Sequence, residues 1–250
     1  MSQTERANSI TKAELDAIRE KYRQRRYDEC LREVKSKLKV SPNSLHLLNY
    51  QAMAYSALKR DKQALSSYLK IVKKDPSLAG PYYNMGIILK RNERVEEAID
   101  HYKKAISLKP DYVQAFNNLG VLYKDNEKYE DAIKMFMKAK ELQPDHQNSY
   151  YNLALIKKEQ GLNEEAIQFL LKVLDLNPEH SEANYLGWLI YSRLGRFSEG
   201  WKYFEYRWKV SPQNGVIWPI QDKPLWKGEK GKRVALWREQ GIGDQITFLS

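Results

Sequence analysis

Apolar residues recur along most of the chain with the spacing of amphipathic helices. Within residues 113–125 they stand at i, i+3, i+4 and i+7, which places them on one helical face. Residues 129–142 repeat this spacing, and the polar stretch Asp125–Glu127 separates the two segments. The pattern predicts two antiparallel helices joined by a short turn. Pro144 is expected to end the second helix, because proline lacks an N–H and disfavours helical geometry in the preceding residue.

The same pattern repeats through the chain at a constant period. Six prolines are equally spaced and mark this period without a slip: Pro42, Pro76, Pro110, Pro144, Pro178 and Pro212. Small residues recur in register, as Gly86 and Gly120 in the first helix and Ala98 and Ala132 in the second. Small residues let the paired helices approach closely and enclose the bulky residues between them. The alignment gives six repeats, at 11–44, 45–78, 79–112, 113–146, 147–180 and 181–214.

At these residues the sequence resembles the tetratricopeptide repeats. Aromatic-x2-Leu-Gly-x2-Tyr, then Ala-x3-Phe and then Pro, with period 34, is the signature of that family. The resemblance covers residues 11–214 and implies an all-α, right-handed superhelical solenoid of antiparallel helix pairs. It weakens at both ends. In the first repeat Ile18 and Cys30 replace small residues and Lys37 replaces an alanine, as expected of a terminal cap whose outer face meets water.

Three asparagines occupy one column of successive repeats: Asn84, Asn118 and Asn152. Counted at 100° per residue, Asn118 lies nearly opposite the packed face of its own helix. An amide both donates and accepts hydrogen bonds, so it can pair with a peptide backbone whatever the side chains. The resemblance implies a place on the concave groove, where the O-linked N-acetylglucosamine transferases carry a similar asparagine ladder. The alternative is that these amides bond only to adjacent helices.

Two further columns flank the asparagines and complete the predicted peptide groove. Tyr83, Asn117 and Tyr151 stand one residue earlier, and Lys90, Lys124 and Lys158 stand six residues later. For the lysines a solvated stripe is the favoured interpretation. The family's carboxylate clamp for chaperone tails needs Lys beside the aromatic column and Asn four residues on. Those places hold Asn49 with Met53, and Tyr83 with Ile87, so a chaperone adaptor is disfavoured.

The composition changes after residue 187, since all six tryptophans follow it. We expect residues 1–10 to be a disordered terminus and 215–232 a linker. Residues 233–250 combine a short strand, RVALW, with a glycine turn at Gly241 and Gly243 and the start of a helix. A lone strand cannot bury both faces of a parallel sheet, so this segment reads as the start of a truncated domain.

Three motifs at this end resemble bacterial proteins that join tetratricopeptide repeats to a glycosyltransferase-like domain. They are Gly-Trp-x-Tyr-x-Glu-x-Arg-Trp from Gly200, Leu-Trp-x-Gly-Glu from Leu225, and Glu-Gln-Gly-x-Gly-Asp from Glu239. The resemblance implies a Rossmann-like domain similar to heptosyltransferases, with a nucleotide-sugar donor in the full-length protein. It also implies a role for Asp244 as the base that deprotonates the acceptor hydroxyl. The alternative for Asp244 is a helix N-cap.

Composition and charge exclude several other classes of protein. The net charge of +10 divides into +4 for residues 1–44, +2 for 45–180 and +4 for 181–250, so no single basic stripe predicts nucleic-acid binding. No apolar run or leader predicts a membrane span or secretion, and one cysteine forms no internal disulfide. Cytoplasmic residence is the default. The scattered histidines predict no metal site, and the chain itself implies no cofactor.

Two functions follow from these patterns. The repeats are expected to bind an extended peptide or protein as the substrate-recognition arm of a larger bacterial glycosyltransferase-like protein. The alternative is a non-catalytic scaffold for protein–protein interaction or complex assembly. The 250 residues by themselves are expected to turn over no sugar nucleotide, and the oligomeric state stays open.

Overall fold

The computed structural model of the protein describes residues 10–204 and residue 206. The chain divides into two compact units, Met1–Leu176 (unit 1) and Asn177–Ser250 (unit 2). The predicted linker at 215–232 and the predicted strand, glycine turn and helix start at 233–250 lie outside the described residues, as does all but the last residue of the predicted disordered terminus 1–10. The sixth repeat is described only as far as residue 206.

The described residues form α-helices joined by short turns, with no strand among them. Unit 1 contains α1 to α10, which are Lys12–Arg23, Tyr27–Val40, Leu45–Ala57, Asp61–Lys74, Ala79–Arg91, Val95–Leu108, Val113–Asp125, Tyr129–Leu142, Gln147–Glu159 and Asn163–Leu176. Unit 2 contains α11 (Ser181–Arg193) and α12 (Phe197–Phe204). The predicted all-helical architecture of helix pairs is confirmed, and α7 and α8 have the bounds that the apolar spacing predicts.

Local residue chemistry sets where these helices begin and end. Thr11 caps α1 by accepting from the Glu14 backbone N–H at 3.3 Å, while the Thr11 N–H donates to the Glu14 carboxylate at 2.9 Å. Ser44 caps α3 through the Leu47 N–H. At the other end, α8 stops at Leu142 and Gln143 is extended, as expected of the two residues that precede Pro144.

Paired helices approach closely where the small residues stand, as predicted. A Cβ atom built on Gly120 of α7 would lie 2.7 Å from the Phe136 ring of α8, and one on Gly86 of α5 would lie 2.6 Å from the Tyr102 ring of α6. Both aromatic rings are fully buried. The glycines therefore make room for the rings that form the core of each pair.

Successive pairs in unit 1 stack through a shared apolar core. Tyr68 of α4, Met85 of α5 and Leu119 of α7 belong to one buried cluster that extends across three repeats. The first pair joins α3 through a second cluster in which Ile18 and Cys30 are fully buried. A solenoid follows, because each pair buries its apolar face only against its neighbours.

The remaining features bear on the predicted ends and on the membrane. Lys37, which stands in an alanine column, is half-exposed and forms an ion pair with Glu14 of α1, consistent with a cap that meets water. In unit 2, a Cβ on Gly200 of α12 would lie 3.0 Å from Tyr191 of α11.

No helix in the described part of the chain has the length and apolar character needed to cross a bilayer.

Candidate functional site

The three predicted asparagines lie on the first helices of three consecutive repeats in unit 1. We call the surface defined by Asn84 of α5, Asn118 of α7 and Asn152 of α9 the amide face. Asn84 and Asn118 are half-buried, whereas Asn152 is buried with 9% of its surface exposed. The three amides therefore differ in how far a ligand can reach them.

Asn118 forms the one cross-repeat hydrogen bond that an amide of this face makes within residues 10–204. Its Nδ2 donates to the Tyr83 hydroxyl at 3.1 Å, which joins α7 to α5. The side chain also lies near the buried Tyr102 hydroxyl and opposes the rise that burial gives the pKa of Tyr102. The Asn118 amide and the Tyr102 hydroxyl do not have the geometry of a hydrogen bond. Tyr102 Oη is therefore buried with no hydrogen-bond partner among the described residues.

Asn84 and Asn152 show why the column is not uniform. Asn84 lies beside the hydroxyl of Tyr68, where it opposes the rise that burial gives the pKa of Tyr68. Phe136 holds, relative to Asn152, the position that Tyr68 holds relative to Asn84, and it has no hydroxyl. Asn152 instead donates to the Asn148 carbonyl of its own helix at 2.8 Å.

An aromatic cluster lies beside Asn118 between the first and second repeats of the amide face. The Tyr83 ring is 4.8 Å from Tyr112 and 5.8 Å from Tyr102, centroid to centroid. Burial raises the pKa of Tyr112 to about 12 and also raises the pKa of Tyr83. Lys109 Nζ lies over the Tyr112 ring at 4.9 Å. The cluster combines apolar ring surface with hydroxyl groups that stay protonated at neutral pH.

The residues one position before the asparagines occupy different environments. Tyr83 and Tyr151 are half-buried. Asn117 is 8% exposed, and its Oδ1 atom is buried with no hydrogen-bond partner in the described part of the chain. The predicted column thus consists of two partly accessible tyrosines and one enclosed amide.

The lysine column is partly neutralised by neighbouring carboxylates. Lys124 pairs with Asp125 at 2.8 Å, and Lys90 approaches the same carboxylate at 3.8 Å from the preceding repeat. Lys158 pairs with Glu159 at 2.7 Å. These carboxylates reduce the positive charge that the column presents to a ligand.

The other predicted site residues are not brought to this face. Asp244, Gly241 and Gly243 lie outside the described residues. Within the described residues, no group of three or more His, Cys, Asp or Glu side chains is placed to hold a metal ion.

Sequence reasoning missed the tyrosine hydroxyls that contact the asparagine column. Tyr68 faces Asn84 and Tyr102 faces Asn118, in each case from the second helix of the preceding repeat. The separation in sequence between tyrosine and asparagine is the same in both pairs, and this constant offset was a signal in the sequence. It becomes meaningful only once the packing between repeats is known.

Comparison with known proteins identifies the repeats. A model described as TPR repeat matches residues 88–127, and models described as tetratricopeptide repeat match residues 50–77 and 111–179. No curated protein matches the sequence significantly.

Several solved structures share the fold. MamA is 26% identical with a TM-score of 0.59, and the match covers 65% of this chain and 95% of MamA. The pilF protein of Pseudomonas aeruginosa is 18% identical with a TM-score of 0.73, over 85% and 95% of the two chains. YrrB, described as a TPR protein with an unusual peptide-binding site, is 16% identical with a TM-score of 0.58, over 74% and 97%. Residues 50–77 and 88–179 therefore match models of tetratricopeptide repeats, and the solved structures share the fold of stacked helix pairs.

Proposed function

We propose that the amide face binds an extended polypeptide segment of a partner protein. The observation that carries the proposal is the recurrence of Asn84, Asn118 and Asn152 at one-repeat spacing on α5, α7 and α9. A main chain that runs along this face would meet an amide at each repeat, and each amide can both donate to a carbonyl and accept from an N–H.

Contacts of the individual side chains favour the middle of the face as the anchoring region. Asn84 is half-buried, and Asn118 stands beside the rings of Tyr83 and Tyr112. Aromatic surface with nearby polar groups suits a peptide, because rings contact apolar side chains while amides hold the backbone. The fold likeness to YrrB, itself described as having a peptide-binding site, supports this use of the fold.

The proposal is tested with peptides selected against the purified chain from a random peptide library. Their affinity is expected in the micromolar range, about −8 kcal/mol. Replacing Asn84, Asn118 and Asn152 together by Ala is expected to weaken binding at least tenfold, about 1.4 kcal/mol, in fluorescence anisotropy.

The matched control replaces amides that lie exposed away from this column. Gln160→Ala with Gln168→Ala is expected to leave peptide affinity within twofold, since both side chains are exposed and neither lies one turn from an asparagine of the face. Circular dichroism verifies that all variants keep their helices. If the triple variant folds and binds with unchanged affinity, the asparagines serve only helix packing and the proposal is wrong.

We propose further that these repeats hold the acceptor protein for a glycosyltransferase-like domain, with Asp244 as the acceptor base and a nucleotide sugar as donor. This rests on the three sequence motifs between Gly200 and Asp244 alone. The test compares the present chain with a chain extended along its reading frame, using a panel of sugar nucleotides. Turnover only by the extended chain, and its loss in Asp244→Asn, is expected. Absence of turnover from both favours the scaffold.

A further inference from the structure

The second repeat carries an open, polar recess that the amide face does not include. It is formed by α3 and α4, encloses about 380 Å³, and no carboxylate lines it. Its lining includes Gln51, Tyr55, Lys62, Ser66, Ser67 and Lys70. This volume is near the lower end of the range for ligand pockets, so the recess suits one or two side chains of a partner.

Three lysines give the recess its positive charge. Lys62 and Lys70 of α4 are exposed, and Lys35 Nζ of α2 lies over the Tyr55 ring at 5.5 Å. None of the three forms an ion pair with a carboxylate of residues 10–204. An anion that entered here would meet cations not already neutralised.

Asp28 and Asp61, on the two helices that carry these lysines, are held by arginines. Asp28 of α2 pairs with Arg60 at 3.2 Å. Asp61, which precedes Lys62, pairs with Arg91 and accepts from Asn92 at 2.7 Å. Asp61 is therefore directed to Arg91, and Asp75, the other carboxylate of this repeat, accepts from Ser77.

Lys62 carries the opposite charge to the equivalent residues of the three following repeats. Lys62 stands in a column that holds Glu96, Glu130 and Glu164 in the next three repeats, with Asp28 before it and Ser198 at its end. A carboxylate is favoured in the first turn of a helix, because the helix dipole is positive there. Lys62 does not contribute this stabilisation, which in α4 comes from Asp61 alone.

The floor of the recess is polar where other repeats are mostly apolar. Gln51 replaces Met85, Leu119 and Leu153 of the same column. The Ser67 hydroxyl lies 3.0 Å from both Gln51 Oε1 and the Gln63 carbonyl and donates to one of them. This contact orients the Gln51 oxygen toward Ser67 and leaves its NH2 group as a donor. Cations and neutral donors thus surround a site without an acid.

We propose that this recess binds carboxylate side chains of an acidic segment in a partner protein. The ammonium groups of Lys35, Lys62 and Lys70 pair with the carboxylates, and the neutral donors complete their hydrogen bonding. A second copy of the chain is a poor occupant, because each copy carries a net charge of +10.

The experiment measures binding of a fluorescein-labelled oligoglutamate peptide to the purified chain by anisotropy. Lys62→Glu with Lys70→Glu is expected to reduce affinity at least tenfold. Lys62→Glu introduces the residue that the later repeats carry, so the variant is expected to fold. Lys62→Gln with Lys70→Gln provides a milder pair in which binding is still expected to fall.

The matched control is Lys103→Glu with Lys104→Glu on α6, which changes the same charge at two exposed positions one repeat away. It is expected to change affinity less than threefold. Absence of peptide binding by the unmodified chain, or equal loss in both double variants, overturns the proposal. Tighter binding of a phosphoserine peptide of equal charge or of duplex DNA, with the same lysine dependence, also overturns the assignment to carboxylates.

Discussion

At the scale of single residues, the structure pairs a tyrosine column with an asparagine column one repeat on. Tyr68 faces Asn84 and Tyr102 faces Asn118, while Phe136 takes the place of the tyrosine below Asn152. The Tyr102 hydroxyl is buried without a hydrogen-bond partner among the described residues. Such a group lowers stability, because it loses its water and gains no bond in return.

Tyr102→Phe is therefore expected to stabilise unit 1. Removal of the unpartnered hydroxyl should raise the free energy of unfolding by about 1 kcal/mol, as measured by urea denaturation. Phe136 shows that the column accepts phenylalanine. Tyr68→Phe is the control, and a smaller change is expected there because the Tyr68 hydroxyl lies beside Asn84 and is not among the fully buried groups without a partner. A destabilised Tyr102→Phe variant would show that Asn118 holds this hydroxyl in solution.

At the scale of helices and turns, one residue in each repeat closes the turn in a left-handed conformation. Four of these residues are not glycine, at Arg25 (φ 58°), Lys59 (φ 59°), Glu93 (φ 59°) and Glu127 (φ 57°), and the other two are Gly161 (φ 76°) and Gly195 (φ 68°). Each stands one full repeat after the one before it. A side chain in this region is strained by about 1–2 kcal/mol, so helix packing imposes the turn on residues that do not favour it.

Introducing a glycine at these turns and removing one are expected to change the free energy of unfolding in opposite directions. Glu127→Gly should raise the free energy of unfolding by about 0.5–1 kcal/mol, and Gly161→Ala should lower it by about 1 kcal/mol, both measured by urea denaturation. Glu127→Ala controls for loss of the charge and should give no gain.

Gly80→Ala is the matched control for Gly161→Ala. Gly80 is helical, and an added Cβ meets nothing within 4 Å, so alanine is expected to stabilise there. If Gly161→Ala were as stable as the parent chain, the left-handed turn would not be maintained in solution.

The helices could be predicted from sequence, whereas the turn conformations could not. The apolar spacing and Pro144 specify where α7 and α8 lie, because both signals are local. Nothing local in Arg25, Lys59, Glu93 or Glu127 favours a positive φ. That conformation arises because the paired helices must meet at Gly120 and its equivalents.

At the scale of the whole molecule, the sequence pattern indicates which column forms the candidate face but not the contacts of its side chains. The helical angle of Asn118 indicated a side chain turned from its own core, and the structure gives it a partner in the preceding repeat, Tyr83. The burial of Asn117 was not predicted either. It depends on how neighbouring repeats pack, which a periodic sequence pattern does not contain.

The constant offset between tyrosine and asparagine makes the junctions between repeats interchangeable. Removal in frame of residues 79–112 would place α7 directly after α4, and Tyr68 would then meet Asn118 at the same offset at which it now meets Asn84. The new junction would again join a tyrosine and an asparagine. Recombination that duplicates or deletes whole repeats can thus lengthen or shorten this solenoid while the tyrosine–asparagine contact is kept at the new junction.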